Sequence, residues 1–511
     1  MQHIENVIPN AAKNRSFFSK PGVGVLSTNM ARKAGLTRIM MSEDKSKEMR
    51  PEYRREAFGT GIRGKFFERH MKPINIGLIG LGTVGSGVAR LLTEQRELLA
   101  RRLGSPLVLK KVADLEVARP RPVALPADLL TTRAEDILND PEIDIVVELI
   151  GGTIAARDYV LEAIARGKHV VTANKALLAL HGNDLLTAAA ARGVEVAFEA
   201  SVCGGIPIIL ALRQGLAANR VQELFGILNG TANYILTQMT QSGASYAQAL
   251  AEAQAQGFAE ADPTLDVEGI DTAHKLAILM SLAYGAQLDL GGIAVEGISR
   301  LNPLDLQFAG EFGYCLKLLA ITRDDGHRVE ARVHPTLVPR THMLASVNGA
   351  MNAVYLTGDA VGPILLYGQG AGMMPTASAV VSDLIDLARN LNHGVPGRVP
   401  ALGWESALTT RRLIKPINDL VTNYYLRFSA LDRPGVLSQV AGILGKHNIS
   451  IAAVIQKGRG LAGTVPIVMI THEAREADAR QAMAEIDQLP IVSPPTVFYR
   501  IEDPHLHAAQ I

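Results

Sequence analysis

The 511-residue chain has few of the residues that mark secreted, membrane-bound or disulfide-rich proteins. Its two cysteines, Cys203 and Cys315, are too few for a disulfide framework, which favours a protein kept in a reducing compartment. No apolar run reaches the roughly 18 residues of a membrane-spanning helix. No charged segment followed by an apolar one opens the chain, as it would in a secretion signal. We therefore expect a cytoplasmic, globular protein with no membrane contact.

A large excess of charge is also missing, since the formal net charge is +1. Residues 1–70 hold 14 Lys and Arg against 7 Asp and Glu, which leaves 37 against 43 in the remainder. The main body therefore lacks the basic footprint of a nucleic-acid-binding protein, and we expect no such partner. Residues 1–70 are polar and interrupted by Gly and Pro, so we expect a disordered extension ahead of Met71 as the usual first residue. A basic arm for an anionic partner is the alternative.

Folding signals begin at Lys72 with a short apolar strand, Ile74–Ile79, which leads into a glycine loop. The loop has the spacing G-x-G-x-x-G, and an amphipathic helix follows it to about Arg102. A strand before and a helix after is the context in which this spacing marks a dinucleotide-binding site. The loop residues assigned to the cofactor are Gly80, Gly82, Thr83, Val84 and Gly85.

The next predicted strand, Leu107–Ala113, ends at Asp114. An acid at that place binds the ribose 2′-hydroxyl of NAD and repels a 2′-phosphate. Arg119 and Arg121 follow closely, and a guanidinium there would hold the phosphate of NADP instead. The sequence therefore leaves the choice between NAD and NADP open.

Three further apolar strands, at residues 144–150, 169–173 and 194–198, complete a predicted parallel sheet. Asn174 and Lys175 close the second of them at the carboxyl edge, where doubly wound sheets bind their ligands. Lys175 is there either a contact for cofactor and substrate or an ordinary lysine at a helix start.

A second irregular loop, at residues 199–208, leads out of this sheet. Irregular backbone beside a carboxylate can offer several carbonyl oxygens to a hard cation, and the same loop can act as a hinge between domains. The following segment, Asn219–Leu228, alternates as a strand. It ends at Asn229-Gly230-Thr231, a strand-to-helix turn with side-chain donors at its start.

An acidic segment, Gly257–Leu276, places five carboxylates ahead of one lysine in an otherwise apolar region. Asp271 and Lys275 are four apart on a predicted helix, so they share a face and can pair. An ammonium held among carboxylates in a cleft keeps its proton and can deliver it to a developing alkoxide. A solvated ion pair is the alternative, and the spacing alone favours it.

The rest of the chain carries two more patterns. A glycine-rich turn at residues 368–372 opens a helix that runs to Asn390, with helix-start chemistry suited to a phosphate or a nicotinamide. A linker-like stretch, 391–420, precedes residues 424–502, whose order β-α-β-β-α-β predicts a ferredoxin-like sandwich. The second helix of this sandwich is expected at Glu473–Glu485. Strands between the acidic segment and this turn are expected at residues 316–322, 329–333, 354–357 and 364–367.

In combination these motifs resemble the bacterial homoserine dehydrogenases over roughly five-sixths of the chain. The motifs are Gly80–Gly85, Thr172–Lys175, Glu199–Pro207, Asn229–Thr231, Gly257–Leu276 and Gly370–Val380. The phrases Asp432–Leu437 and Asn448-Ile449-Ser450 are typical of ACT-type amino-acid-sensing domains.

The resemblance implies an α/β protein of three domains. A Rossmann-type doubly wound domain is expected at residues 71–200, completed by about 370–415. An α+β catalytic and dimerisation domain is expected at 201–369, and a ferredoxin-like ACT domain at 424–502.

The family's functional residues carry over to matching positions of this sequence. Lys275 is implied as the proton donor to the aldehyde oxygen, with Lys175 and Asp271 as further catalytic residues. The implied substrate-binding residues are Glu260, Asp266, Asp271 and Thr231. Further cofactor contacts are implied at Thr172, Lys175 and Gly370. A sodium site built largely from main-chain oxygens is implied at Glu199, Val202, Gly204 and Ile206.

The implied reaction is the interconversion of L-aspartate 4-semialdehyde and L-homoserine with NAD or NADP, by a homodimer or homotetramer. Threonine is the expected effector of the C-terminal domain, near Asp432–Leu437 and Asn448, and a core-stabilising or dimerising role is the alternative. Two other functions stay open. One is an NAD(P)-dependent reductase of another small amino aldehyde or keto acid, and the other is a non-catalytic amino-acid sensor.

Overall fold

The computed structural model describes residues 72–405, 409–457 and 463–502. The extension expected at residues 1–70 lies outside this part of the chain. None of the described helices is both long and apolar enough to cross a membrane. A six-stranded sheet and a twelve-stranded sheet organise the described residues.

The first sheet is parallel throughout, with the strand order β3-β2-β1-β4-β5-β6. Its strands are β1 (Ile74–Ile79), β2 (Leu107–Ala113), β3 (Leu130–Thr131), β4 (Ile145–Glu148), β5 (His169–Thr172) and β6 (Val196–Ala197). The winding direction reverses between β1 and β4, and sheets of this order bind nucleotides at the carboxyl edge of that point. The expected doubly wound, Rossmann-type sheet is confirmed.

Helices pack on both faces of this sheet and form two apolar cores. Those in sequence with it are α1 (Thr83–Glu94), α2 (Arg96–Leu103), α3 (Glu135–Leu138), α4 (Ile154–Ala165) and α5 (Lys175–Arg192). The single helix expected to run to about Arg102 is in fact two helices that meet at Gln95, whose φ of −107° and ψ of 17° leave the helical region. Gln95 is neither Gly nor Pro, so no residue-type signal marked the break.

The second sheet is mixed and runs through the whole C-terminal two-thirds of the described chain. Its strands follow the order β12-β11-β7-β9-β10-β18-β14-β16-β15. Three two-residue strands lie outside this order: β8 and β13 pair with β10, and β17 pairs with β14. Those before residue 400 are β7 (Val221–Ile227), β8 (Ala294–Val295), β9 (Tyr314–Asp324), β10 (Arg328–Pro339), β11 (Met351–Gly358) and β12 (Gly362–Gln369). The strand expected at 329–333 is therefore longer, because it pairs over eleven positions with β9.

Helices between β6 and β9 cover one face of this sheet. They are α6 (Ile208–Leu210), α7 (Gly230–Ser242), α8 (Tyr246–Ala255), α9 (Thr264–Val267), α10 (Ile270–Tyr284) and α11 (Pro303–Glu311). Helix α10 carries the acidic segment's lysine, and all but two of its residues are buried. The long helix α12 (Met373–His393) returns to the first sheet and packs on α1, where Gly87 permits the approach: an added Cβ would lie 2.9 Å from that of Ala377.

The C-terminal region has the predicted ferredoxin-like order, β18-β14-β16-β15 with two helices on one face. Its elements are β13 (Leu413–Ile414), β14 (Val421–Leu431), α13 (Val436–Lys446), β15 (Ile451–Gln456), β16 (Thr464–Thr471), β17 (Ala474–Arg475), α14 (Glu476–Ile486) and β18 (Val492–Ile501). The helix expected from Glu473 begins three residues later, because Ala474 and Arg475 pair with β14.

The C-terminal region and the region before residue 400 share one sheet, because β18 pairs in parallel with β10 at Thr336–Arg500 and Leu337–Ile501. The stretch predicted as a linker also joins this sheet, because β13 pairs with the start of β10. The C-terminal domain is therefore docked on the preceding one by backbone hydrogen bonds.

Candidate active site

The glycine loop after β1 leaves open backbone where a nucleotide would approach. Gly80 has a φ of +101°, and a Cβ there would lie 2.6 Å from the carbonyl oxygen of Leu149. A Cβ on Gly85 would collide with the carbonyl of Gly80. A Cβ on Gly82, in contrast, would meet nothing within 4 Å. Gly80 and Gly85 are thus needed for packing, and Gly82 faces free space at the start of α1, as a pyrophosphate site requires.

The end of β2 holds an acid that already has partners. Asp114 Oδ2 accepts from the Leu81 amide at 2.6 Å, and Oδ1 accepts from Arg121 Nη2 at 2.9 Å. Arg119 lies 3.6 Å from Glu116 in an exposed ion pair. Asp114 thus fixes the glycine loop, and Arg121 lies beside it, so the geometry suits either nucleotide and leaves the choice open.

Thr172, expected at the cofactor, is fully buried at the end of β5. Its hydroxyl donates to Glu148 Oε2 at 2.6 Å and accepts from the Asn174 amide at 3.0 Å. Burial raises the pKa of Glu148, which also accepts from the Ile150 amide. The Thr172 side chain therefore orders the carboxyl edge of the sheet.

Asp271 lies between two lysines that come from different domains. Its Oδ2 accepts from Lys275 Nζ at 2.7 Å, one turn along α10. Its Oδ1 lies 2.9 Å from Nζ of Lys175, the first residue of α5, in an ion pair that lacks hydrogen-bond alignment. Asp271 and Lys275 are buried, whereas the Lys175 side chain is 43% exposed. The predicted pair is confirmed as a contact, and the chain adds Lys175 to it.

Charge in this cluster outweighs burial. Burial alone would raise the pKa of Asp271, but Lys275 and Lys175 hold that pKa well below its usual range. Burial alone would lower the pKa of Lys275, but the Asp271 carboxylate reverses this and raises it. Asp271 is therefore ionised at neutral pH, and Lys275 holds its proton.

Lys275 has one N–H to spare. It donates to Asp271 and, at 2.7 Å, to the carbonyl of Leu228, and its third N–H has no acceptor among the described residues. An ammonium has three donors. This lysine is thus held by two bonds and can donate a third to a bound molecule.

Asn229 is a residue whose role the sequence did not reveal. Its Nδ2 donates to Asp271 Oδ2 at 2.8 Å and to Asp266 Oδ1 at 2.7 Å, and its Oδ1 caps α7 by accepting from the Ala232 amide. The cap was a readable signal, since Asn is favoured at that position. The bridge between two acids was not, because it joins segments about forty residues apart in the sequence.

The other acids of the segment lie nearer the surface. Glu260 is exposed, and no described residue pairs with its carboxylate. Asp266 is half-buried, and Thr231 holds the loop before them, because its hydroxyl donates to the carbonyl of Phe258 at 2.6 Å. The structure thus brings Asp266, Asp271 and Lys275 together through Asn229, and it leaves the Glu260 carboxylate exposed and unpaired among the described residues.

The loop proposed for a cation begins with a buried carboxyl group. Both oxygens of Glu199 accept main-chain bonds, from Ile209 at 2.9 Å and Leu210 at 2.7 Å. Burial raises the pKa of Glu199 to about 7 against the effect of these bonds. Its side chain therefore ties the two ends of the loop together.

The main chain of this loop fits a cation better than its side chains do. Cys203 and Gly204 have φ values of +55° and +46°, which turn successive carbonyls. Among the described residues, no donor reaches the carbonyl oxygens of Val202 or Gly204. No group of three or more described His, Cys, Asp or Glu side chains is arranged to hold a metal. Oxygens of this kind suit a hard cation.

Asn352, on β11, is a second residue that sequence reasoning missed. It is buried, and its Nδ2 donates to the Leu228 carbonyl at 2.9 Å, the same oxygen that binds Lys275. Its side chain fills the space beside Gly370, where an added Cβ would overlap it. The amide of Gly205 donates to the carbonyl of Gln369 at 3.0 Å, so the loop proposed for a cation, at residues 199–208, contacts the turn at Gly370. No motif pointed to Asn352, because it lies within a strand.

Family models match most of this architecture. A model described as the homoserine dehydrogenase NAD-binding domain covers residues 80–199, one described as homoserine dehydrogenase covers 207–385, and an ACT domain model covers 424–491. Homoserine dehydrogenase of Neisseria gonorrhoeae is 46% identical over 435 residues, which span 85% of this chain and 100% of that protein. The chain belongs to the homoserine dehydrogenase family. It is thus an NAD(P)-dependent oxidoreductase with an ACT domain.

Other members of the family agree over the same span. Homoserine dehydrogenase of Pseudomonas aeruginosa is 48% identical, with 84% of this chain and 99% of that protein covered. The crystal structure of a homoserine dehydrogenase from Thiobacillus denitrificans is similar with a TM-score of 0.81 and 48% identity, over 85% of this chain and 99% of that one. The S. aureus homoserine dehydrogenase structure at pH 7.5 gives 0.67 and 33%, over 85% and 100%. The expected family and fold class are confirmed.

Proposed function

We propose that this chain interconverts L-aspartate 4-semialdehyde and L-homoserine, with Lys275 as the acid–base group. The observation that carries the proposal is the position of the buried Asp271 carboxylate between the side-chain nitrogens of Lys175 and Lys275. A member of the homoserine dehydrogenase family needs a proton donor for the aldehyde oxygen and positive charge around it. Lys275, with its unused N–H, supports both requirements.

The Leu228 carbonyl and Asp271 hold the ammonium of Lys275, so its third N–H can point at the substrate oxygen. As the oxygen becomes an alkoxide, Lys275 Nζ gives it a proton, and in the reverse direction the neutral amine takes the proton back. Asp271 stabilises the ammonium form and so keeps the donor charged until the proton is needed. Proton transfer of this kind contributes about 10²- to 10⁴-fold to the rate.

Lys175 serves a second purpose in this proposal. Its side chain is 43% exposed and makes no aligned hydrogen bond to Asp271, its only described partner, so it can turn toward the substrate carboxylate or carbonyl without breaking one. Positive charge fixed near a developing alkoxide stabilises the transition state.

The amino group of the substrate is assigned to Glu260 and Asp266, the two acids of the segment that lie nearer the surface. Glu260 is exposed and unpaired among the described residues, and Asp266 has one oxygen bonded to Asn229. Asp271 is less suited to this role, because its Oδ2 already accepts two bonds. We therefore expect Glu260 and Asp266 to bind the amino group, with Thr231 as the support of their loop.

The nucleotide and the cation are assigned to the two irregular loops. The residues proposed for the nucleotide are those of Gly80–Gly85 with Lys175 and Gly370, and the residues proposed for sodium are Glu199, Val202, Gly204 and Ile206, through main-chain oxygens. When bound, the nucleotide supplies or accepts the hydride. The backbone bond between Gly205 and Gln369 supports the idea that the cation loop orders the Gly370 turn. The cytoplasmic location, a homodimer or homotetramer, and threonine as effector stay predictions.

The test compares two alcohols with the purified enzyme, L-homoserine and 4-hydroxybutanoate, which lacks the amino group. Oxidation is followed by reduced nucleotide, with NAD and NADP in parallel and sodium present. We expect turnover of homoserine and a kcat/KM at least about a hundredfold lower for the analogue, since two acids would be left unpaired. Equal turnover of both would favour a different small-aldehyde reductase, and no turnover of either in folded protein would favour a sensor.

A further inference from the structure

One carboxylate of the catalytic domain is bound by two arginines of the ACT domain. Glu296 follows the short strand β8, and its two oxygens accept from Arg500 Nη1 and Nη2, both at 2.9 Å. Its Oε1 also accepts from Arg480 Nη2 at 3.1 Å. A bidentate guanidinium–carboxylate pair fixes direction as well as distance.

The two arginines are themselves fixed inside the ACT domain. Glu476, at the start of α14, is fully buried and accepts from both Arg500 and Arg480. The hydroxyl of Tyr424 donates to the same carboxylate at 2.9 Å. Arg500 is 1% exposed, so α14 and β18 fix the carboxylate of Glu296, while its amide bonds the carbonyl of Val333 on β10 at 2.8 Å.

The backbone beside Glu296 packs closely against the acidic segment. The Ile298 amide donates to the carbonyl of Val267 at 2.8 Å. Gly297 leaves no room between the two chains, because a Cβ there would lie 2.5 Å from the Cα of Glu268. On the other side, Gly269 has a φ of +80°, and a Cβ on it would lie 3.2 Å from Val295 Cγ1. Residues 267–269 are thus held against residues 295–298.

Val267 and Glu268 lie between the two acids that Asn229 bridges, Asp266 and Asp271. A shift of residues 295–298 would therefore move Asp266, and with it one side of the substrate-ammonium site. The described residues thus connect the ACT domain to the acidic segment through few contacts. The connection runs from Arg480 and Arg500 to Glu296, and from there through Gly297 and Glu268 to Asp266.

We propose that Glu296 is a positioning residue that couples the ACT domain to the acidic side of the active site. The inference rests on the proposed function for its kinetic test, because that test uses homoserine. Loss of the Glu296–arginine bonds lets residues 267–269 relax. Binding of the amino substrate then weakens, while binding of the nucleotide, which lies on the other domain, does not change.

The molecule offers a matched control for a broken bond between these domains. Asp305, on α11, is buried and binds Arg427 and the Tyr425 hydroxyl of the ACT domain, the latter at 2.9 Å. No described hydrogen bond joins Asp305 to the acidic segment. Glu296→Gln and Asp305→Asn each remove one interdomain charge without a change of shape. Arg500 and Arg480 keep Glu476 as a partner in the first variant, so a folded protein is expected.

The first measurement is steady-state kinetics of the full-length wild type and both variants. We expect Glu296→Gln to raise KM for L-homoserine about threefold to tenfold, the size of a coupling energy carried through one contact path. KM for the nucleotide should stay at the wild-type value, and Asp305→Asn should leave both KM values unchanged. An equal rise of both KM values in Glu296→Gln, or the same rise in Asp305→Asn, overturns the proposal.

The second measurement does not depend on turnover. Hydrogen exchange of the amides of residues 266–269, which bond to Pro263, Thr264 and Asp266, should be faster in Glu296→Gln than in the wild type and unchanged in Asp305→Asn. Unchanged exchange in Glu296→Gln overturns the coupling. If the wild type does not oxidise homoserine, the proposed function fails, and the exchange data still decide the role of Glu296.

Discussion

Two groups of buried charges in this molecule differ in how completely their hydrogen bonds are used. The first, called the catalytic cluster after its proposed role, consists of Lys175, Asp271 and Lys275. The junction cluster lies where β10 meets the ACT domain and consists of Arg323, Arg332, Glu223, Glu330 and Glu502.

In the junction cluster every guanidinium nitrogen has a partner. Arg332 bonds Glu330, Glu502 and His334, and Arg323 bonds Glu223, Glu330 and Glu502. Burial alone would raise the pKa of Glu502, but Arg323 and Arg332 lower it to about 2. Shifted pKa values therefore accompany a purely structural contact here.

In the catalytic cluster the pKa of Asp271 is lowered and that of Lys275 is raised, but hydrogen-bonding groups are left over. Lys275 has a free N–H, Asp271 Oδ1 lacks a hydrogen bond, and Lys175 is partly exposed. A shifted pKa alone thus does not identify a catalytic group, and the unused donor of a buried charge is the feature that makes Lys275 the candidate here. Substitutions at Lys275, Glu502 and Asp271 each change one of these two clusters, and a fourth, at Arg121, changes a less buried ion pair.

The largest effect is expected for Lys275→Ala. It removes the proton donor, so kcat should fall about 10²- to 10⁴-fold, while nucleotide affinity stays at the wild-type value. Kinetics together with a fluorescence titration of the nucleotide measure both. The control is Lys168→Ala, which removes a buried lysine that bonds the carbonyls of Asp140 and Ile143. Its kcat per folded molecule should be unchanged, and a loss of nucleotide binding in Lys275→Ala would argue against the assigned role.

Glu502→Ala tests the junction cluster. It leaves Arg332 and Arg323 with one carboxylate fewer in a buried place, so the free energy of unfolding should fall by about 3–5 kcal/mol. Urea denaturation measures this, with the exposed helix residue Glu97→Ala as a control expected within about 0.5 kcal/mol of wild type. The kcat per folded molecule should not change. A large drop in kcat with unaltered stability would remove the distinction between the two clusters.

Asp271→Asn should move the pH dependence of aldehyde reduction. Lys275 must be protonated to act, so activity is lost as pH rises through its pKa. Asp271 raises that pKa and burial lowers it. Without the carboxylate, burial dominates, and the alkaline limb of kcat should shift to lower pH. A pH–rate profile of both proteins decides this, and an unshifted limb would mean that another group titrates.

The smallest effect is expected for Arg121→Ala. Arg121 pairs with Asp114, which also bonds the glycine loop. Arg121→Ala removes the cation beside it, so the ratio of kcat/KM for NADP to that for NAD should fall about tenfold, the value of one charge-assisted hydrogen bond. Arg119→Ala is the control, because Arg119 pairs with Glu116 at the surface. An unchanged ratio would show that neither group reads the 2′-position.

Local patterns predicted much of this fold. The bounds of β1 and β2 agree with the sequence prediction, because a Gly directly follows the first strand and an Asp directly follows the second. The pairing of β18 with β10 could not be predicted, since nothing in the residues near Arg500 specifies a partner about 160 positions earlier. The strand β17 was read as helix, because its pairing with β14 is decided by tertiary contact.

The same division holds at the site. Asp271 and Lys275 are four apart, so their contact follows from helix geometry. The approach of Lys175 from another domain, and the positions of Asn229 and Asn352, depend on how distant segments pack. Thr172 stays a predicted cofactor contact, and the bond of its side chain to Glu148 is a second feature that depends on how distant segments pack.

Chemical rescue of Lys275→Ala tests the central claim most directly. Small primary amines of different pKa are added to the variant, and homoserine oxidation is measured at saturating nucleotide. We expect amines to restore part of the turnover, because the amine takes the place of Lys275 in proton transfer. For the same reason, the rescued rate should depend on the pKa of the amine. Turnover near the wild-type rate without any amine, or rescue that ignores the amine's pKa, would contradict this claim.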